Sequence, residues 1–175
     1  GSELFTGNCL FLMPLLRGDV TGGRVLRNWL LVYAGNFFGS LLIAFLAAQC
    51  GVLDGIADAV VGTAVTKAAL PTAVAFLRGV LCNFLVCLAV WMAFCAESAG
   101  GKVISLYGPI FLFVLCGFEH SIANMSILGV GLLHPCEQVL TIGAYFQNLL
   151  FVSLGNMVGG IVFVSVPYLI ISKEA

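Results

Sequence analysis

The sequence predicts an all-α membrane protein assembled from two related halves, each carrying an interrupted helix. Three observations lead there. First, 61% of the 175 residues are hydrophobic and 9% are charged, with a mean hydropathy of +1.13. A water-soluble domain carries roughly a quarter charged residues, so this chain cannot cover its own surface in water and belongs in a lipid bilayer. Second, several uncharged runs reach the ~20 residues that cross a ~30 Å hydrocarbon core, and they are too long and too numerous for a cleaved leader. Third, two apolar stretches are broken by polar octapeptides that match each other, GSELFTGN (1–8) and GFEHSIAN (117–124).

Along the chain, residues 3–16 are apolar but too short to span alone. Residues 28–53 hold no charge before Asp54 and form a spanning helix. Residues 54–77 begin with Asp54 and Asp58, which suit an interfacial helix start, and Pro71 interrupts the run, leaving Lys67 beside a helix break. Residues 79–96 form a second span that starts before Arg78. Residues 103–133 are long enough for a third, but GFEHSIAN divides them into half-spans 103–116 and 125–133. Such a division predicts a discontinuous helix, with unwound backbone that protein must bury or water must line. Residues 139–171 form a last, long span.

Loop charges set the orientation. Arg17, Arg24, Arg27, Lys102 and Lys173 fall on one face, and Asp54, Asp58 and Glu137 on the other. The basic face is therefore cytoplasmic, and the C-terminus lies inside. The net charge of −1 says nothing about partners, and no basic patch points to nucleic acid. The seven cysteines show no CxxC or zinc-type spacing. They read as small, reduced packing residues. With two histidines, one of them (His134) in a surface loop, no metal, haem or other cofactor is implied, and nothing points to an enzyme.

The octapeptides share Gly, Glu and Asn at equal offsets: Glu3 with Glu119, and Asn8 with Asn124. A second match comes in the same order, NWLLVYAGNFFG (28–39) with NLLFVSLGNMVG (148–159). These are duplicated halves. Counting spans between them reverses the second copy, so the repeat is inverted, as in many channels and secondary transporters. One domain results, with repeat 1 over about 1–53, a linker with an interfacial helix over 54–72, and repeat 2 over about 73–172. The second break is preceded by a span and a half-helix whereas the first opens the sequence. The expectation is that an N-terminal helix and half-helix are missing here. Glu3, Asn8, Glu119 and Asn124 recur and build the breaks, and Asn36 and Asn156 tether them. The Gly-xxx-Gly pairs 35/39 and 155/159 permit close helix approach.

GSELFTGN, LRGVLCNFLVCLAVWMA (77–93), GFEHSIANM (117–125) and the two GNxxG helices together resemble the formate/nitrite transporter family. The resemblance implies a six-helix, aquaporin-like inverted repeat and a homopentamer with one pore per protomer. It implies passage of small monovalent anions of weak acids (formate, nitrite or hydrosulfide) across a prokaryotic plasma membrane. By position, it assigns the pore and its selectivity to His120, Thr6, Lys67 and Asn83, and the constriction to Leu4, Phe5 and Phe113.

The chemistry fits that assignment. An unpaired anion in hydrocarbon is costly, and three devices are at hand to lower the barrier. Helix N-termini at the breaks offer N–H groups and a positive dipole end. Lys67 offers a full charge that attracts anions and repels cations. His120, neutral, donates a hydrogen bond and serves as a proton relay. Glu119 is expected to point away from the anion and accept backbone N–H bonds, and Glu3 likewise. The alternative is an aquaporin-like pore for neutral solutes, against which Lys67 argues.

Overall fold

A computed structural model describes residues 3–133 and 140–174. His134 and Glu137, placed above by sequence, lie outside the described residues. Every described element is helical. A 3₁₀ turn, Gly7–Phe11, leads into α1 (Leu12–Arg17), which stops at Gly18 in the left-handed region, φ 83°. The bonds Gly18 N–H to Leu15 and Asp19 N–H to Pro14 close this end, the arrangement that glycine permits after a last turn.

Helix α2 (Gly22–Gln49) starts after an extended Thr21 and runs 28 residues, roughly 42 Å at 1.5 Å per residue. It starts six residues before the predicted span and ends four before it, because Gly51, φ 72°, turns the chain. Helix α3 (Ala57–Ala68) carries Asp58 in its first turn and Lys67 in its last, the charge order that the helix dipole favours. After the break at Pro71, α4 (Thr72–Cys95) crosses the molecule.

Ser98 caps α5 (Ala99–Leu115), accepting from Gly101 N–H. Its far end is closed by Gly117, φ 66°, with Phe118 N–H on the Phe113 carbonyl and Gly117 N–H on Val114. The chain is helical again from Ser121, as α6 (Ser121–Leu133). That is four residues earlier than the half-span predicted from hydropathy. Asn124 is accommodated there because its amide donates to buried partners, and the Ser121 N–H is taken by Asn156.

Helix α7 (Ile142–Gly160) is capped by Thr141. It passes through a π turn, Ile161–Ser165, into α8 (Val166–Glu174). Among the described residues, three helices are long and apolar enough to cross a membrane: Gly22–Gln49, Thr72–Cys95 and Ile142–Ile171. The chain is a multi-pass, all-helical membrane protein.

The α4–α7 crossing sets the position of everything else. A Cβ on Gly155 or Gly159 would overlap the carbonyl oxygens of Phe76 and Val80, and one on Gly79 would lie 2.8 Å from the Val152 carbonyl. Only glycine allows this approach. The matching pair on α2, Gly35 and Gly39, meets open space among the described residues. Two apolar clusters flank the crossing, one with Phe5, Ile122, Met125, Tyr145 and Leu149, the other with Cys9, Leu10, Met13, Cys87 and Val164.

Candidate functional site

Residues 116–120 connect α5 to α6, and the last two are buried, Glu119 1% and His120 8% exposed. The Ala123 N–H donates to His120 Nδ1 at 3.2 Å, so the imidazole caps α6. An N–H aimed at Nδ1 requires a lone pair there, which assigns the proton of the neutral ring to Nε2. That Nε2–H donates to the Thr6 hydroxyl at 3.1 Å. Thr6 belongs to the first break and His120 to the second, 114 residues apart. The Phe113 ring stacks on the imidazole, centroids 5.6 Å apart.

The two breaks are held by the same set of bonds. In the first, Phe5 N–H donates to Asn36 Oδ1 at 3.0 Å and Asn36 Nδ2 to the Glu3 carbonyl at 3.0 Å. In the second, Ser121 N–H donates to Asn156 Oδ1 at 2.8 Å and Asn156 Nδ2 to the Glu119 carbonyl at 3.0 Å. The parallel continues in the side chains. Asn8 donates to Glu3 at 2.8 Å and to Asn28 at 2.9 Å. Asn124 donates to Glu119 at 2.6 Å and to Asn148 at 2.9 Å. Unwound backbone inside a membrane must find partners in protein, and in each break one asparagine supplies two of them. Asn36 and Asn156 thus each bond two backbone groups of the break in their own half. Asn28 and Asn148 were missed as break residues, although their recurrence at equal offsets was the available signal.

Two expectations need correction. Among the described residues, the Glu119 carboxylate accepts from side chains and not from backbone N–H groups. Its Oε1 accepts from Lys67 Nζ at 2.8 Å and its Oε2 from Asn124, while Asn148 Nδ2 ties down the Lys67 carbonyl at 2.8 Å. Glu3 likewise accepts from side chains, Asn8 and Asn28. A buried carboxylate needs a charged or multiply donating partner, and α3 brings one to it. The cation is the accessible end of the pair, 18% exposed against 1% for the carboxylate. The second correction concerns the amides of α6. Ser121 N–H is taken by Asn156, Ala123 N–H by His120, and Asn124 N–H by the His120 carbonyl. The dipole of α6 remains, but most of its first-turn donors are spent on holding the break.

Asn83, fully buried, donates to the Thr6 carbonyl at 3.1 Å and to the Asn156 carbonyl at 2.7 Å, bridging the first break to α7. Leu4 is 46% exposed, whereas Phe5 is 6% exposed, its ring set edge-on to Tyr33 at 4.9 Å and to Trp29 at 6.3 Å. The geometry therefore gathers Thr6, His120, Phe113, Lys67 and Asn83 around one centre, with Leu4 at an accessible edge and Phe5 turned into the core.

A multi-pass helical protein with two polar breaks cross-linked at its centre has the construction of a membrane channel or transporter rather than of an enzyme. Comparison with known proteins names the class. The family pattern described as "Formate/nitrite transporter" matches residues 1–170. The chain is 40% identical over 190 residues to the "Probable formate transporter" of Methanothermobacter thermautotrophicus, covering 96% of this chain and 67% of that protein. It is 36% identical over 171 residues to "Nitrite transporter NirC" of Escherichia coli (strain K12), covering 96% of this chain and 63% of that protein. A solved structure titled "Pentameric formate channel with formate bound" superposes with a TM-score of 0.79 at 34% identity, covering 98% of this chain and 75% of the other.

The chain belongs to the formate/nitrite transporter family, whose members are channels and transporters and not enzymes.

Proposed function

We propose that this chain builds an aquaporin-like inverted repeat, with repeat 1 over about 1–53, a linker over 54–72 and repeat 2 over about 73–172. Its two broken helices line a path for small monovalent anions of weak acids: formate, nitrite or hydrosulfide. The observation that carries the reading is the buried Thr6–His120 contact at 3.1 Å, a polar pair that joins the two breaks. The protein works as a homopentamer in a prokaryotic plasma membrane, C-terminus inside, as the pentameric relative and the loop charges suggest.

Selectivity begins at Lys67. The ion pair with Glu119 presents its positive end outward and buries its negative end, so an entering anion meets the ammonium first. Leu4 and Phe113 form the apolar constriction, with Phe5 fixing Leu4 from behind. At the centre, Thr6 accepts the Nε2–H of neutral His120, which leaves its own O–H to donate to the anion. Asn83 holds the Thr6 carbonyl in place.

Handing over a whole proton requires the imidazolium form. Its Nδ1 would then carry a proton facing the Ala123 N–H, so the ring leaves that contact when it charges. The Nε2 proton passes to Thr6 Oγ1 as the hydroxyl proton passes to the anion, giving neutral acid and the Nδ1–H form of the neutral imidazole. The ring returns to its resting form by taking a proton at Nε2 and releasing the one on Nδ1. A neutral acid crosses an apolar constriction at far lower cost than its anion.

The second reading, an aquaporin-like neutral-solute pore, draws on the charge compensation of Lys67 by Glu119. Side-by-side flux of formate, nitrite and hydrosulfide into liposomes, against water and glycerol permeation, tests the choice. Anion flux above protein-free vesicles supports the first reading, and solute permeation without anion flux supports the second.

A further inference from the structure

We propose that Cys87 is a positioning residue of the same centre. With Asn83, its thiol holds the Thr6 carbonyl, and thereby sets the Thr6 hydroxyl against His120. The functional consequence rests on the anion-pore reading; the positional claim does not.

The Thr6 carbonyl accepts from Asn83 Nδ2 at 3.1 Å and from Cys87 Sγ at 3.3 Å. Thr6, Asn83 and Cys87 are all fully buried. The backbone contributes little here, since the Cys9 N–H reaches the same carbonyl only at 3.4 Å. Side chains must therefore fix this peptide plane, and the plane fixes where the hydroxyl of the same residue points.

Comparison of the halves explains why a thiol is used. In the second break the matching carbonyl is that of Ile122, and it accepts from Ser40 Oγ at 3.5 Å. The register that pairs Asn36 with Asn156 pairs Ser40 with Gly160. At Gly160 no side chain is available, and a Cβ there would come within 2.7 Å of Cys87 Sγ and 2.8 Å of Asn83 Nδ2. A hydroxyl from the opposite half thus serves one break. At the other, glycine clears the space and two α4 donors enter it. A thiol is a weak donor, but this one is buried, close and facing a carbonyl.

The test compares Cys87→Ala and Cys87→Ser in liposome flux of formate across pH. Cys87→Ala should lower flux about two- to fivefold, the loss of one modest hydrogen bond, and shift its pH profile, and Cys87→Ser should restore both. A wild-type profile in Cys87→Ala overturns the proposal, as does equal loss in both variants with no change in pH profile. If the unsubstituted protein carries no anion, the transport reading fails instead, and the positional claim is decided by infrared difference spectroscopy. The S–H band lost in Cys87→Ser should lie at the lowered frequency of a hydrogen-bonded thiol. A band at the free-thiol frequency overturns the proposal, whether or not the alanine variant assembles.

Discussion

His120 donates from Nε2 to the hydroxyl of Thr6 across 3.1 Å, and the donation has a fixed direction because Ala123 N–H occupies Nδ1. The imidazole is thereby both the cap of α6 and the bond between the halves of the molecule. Ionisable groups inside membranes generally serve the transported species, and this one is placed where both breaks converge.

The relay role makes a statement about pH. Protonation of the ring supplies the proton for the anion, so flux should rise as pH falls through the titration of His120. His120→Ala should flatten that rise, measured as liposome formate uptake across an acidic-to-neutral pH series. An unchanged slope removes the relay role.

Lys67 carries two functions that substitution can separate. Lys67→Glu should abolish anion uptake. Lys67→Met should lower stability by about 3–5 kcal/mol, because it strands the buried Glu119 charge. Adding Glu119→Gln should recover thermal stability without recovering uptake. Full uptake in the double variant would show that the exposed ammonium is not what draws the anion in.

The asparagine tethers differ in weight. Asn156 makes three side-chain bonds, to Gly79, Glu119 and Ser121, and is fully buried. Asn36 makes two, to Phe5 and Glu3. Asn156→Ala should cost about 3 kcal/mol or more and Asn36→Ala about 1–2 kcal/mol, by the usual worth of such bonds. Thermal unfolding in detergent gives the order, and equal losses would remove the distinction.

At the α4–α7 crossing, a methyl group has nowhere to go. Gly155→Ala or Gly159→Ala should destabilise by about 1–3 kcal/mol through overpacking, read as reduced thermal stability. Wild-type unfolding temperatures in both would contradict the close approach.

Much of this was legible in the sequence, for identifiable reasons. Composition required a membrane, and two equal-offset matches located both breaks and both tethering asparagines. Hydropathy failed at the start of α6, since Ser121 and Asn124 are polar by type but buried, Asn124 against its amide's partners and Ser121 with its N–H on Asn156. The Lys67–Glu119 pair was hidden because it joins α3 to a break 52 residues away, a contact no local pattern encodes. Cys87 looked like packing for the same reason, since its acceptor, the Thr6 carbonyl, lies 81 residues distant.

The central claim is that anions pass where Thr6 meets His120. Thr6→Val keeps the shape and removes the hydroxyl, so formate flux in liposomes carrying this variant tests it most directly. The account predicts anion flux in the unsubstituted protein and a loss of about tenfold or more in Thr6→Val, since both the hydroxyl donor and the partner of buried His120 are gone. Undiminished flux in Thr6→Val would contradict it.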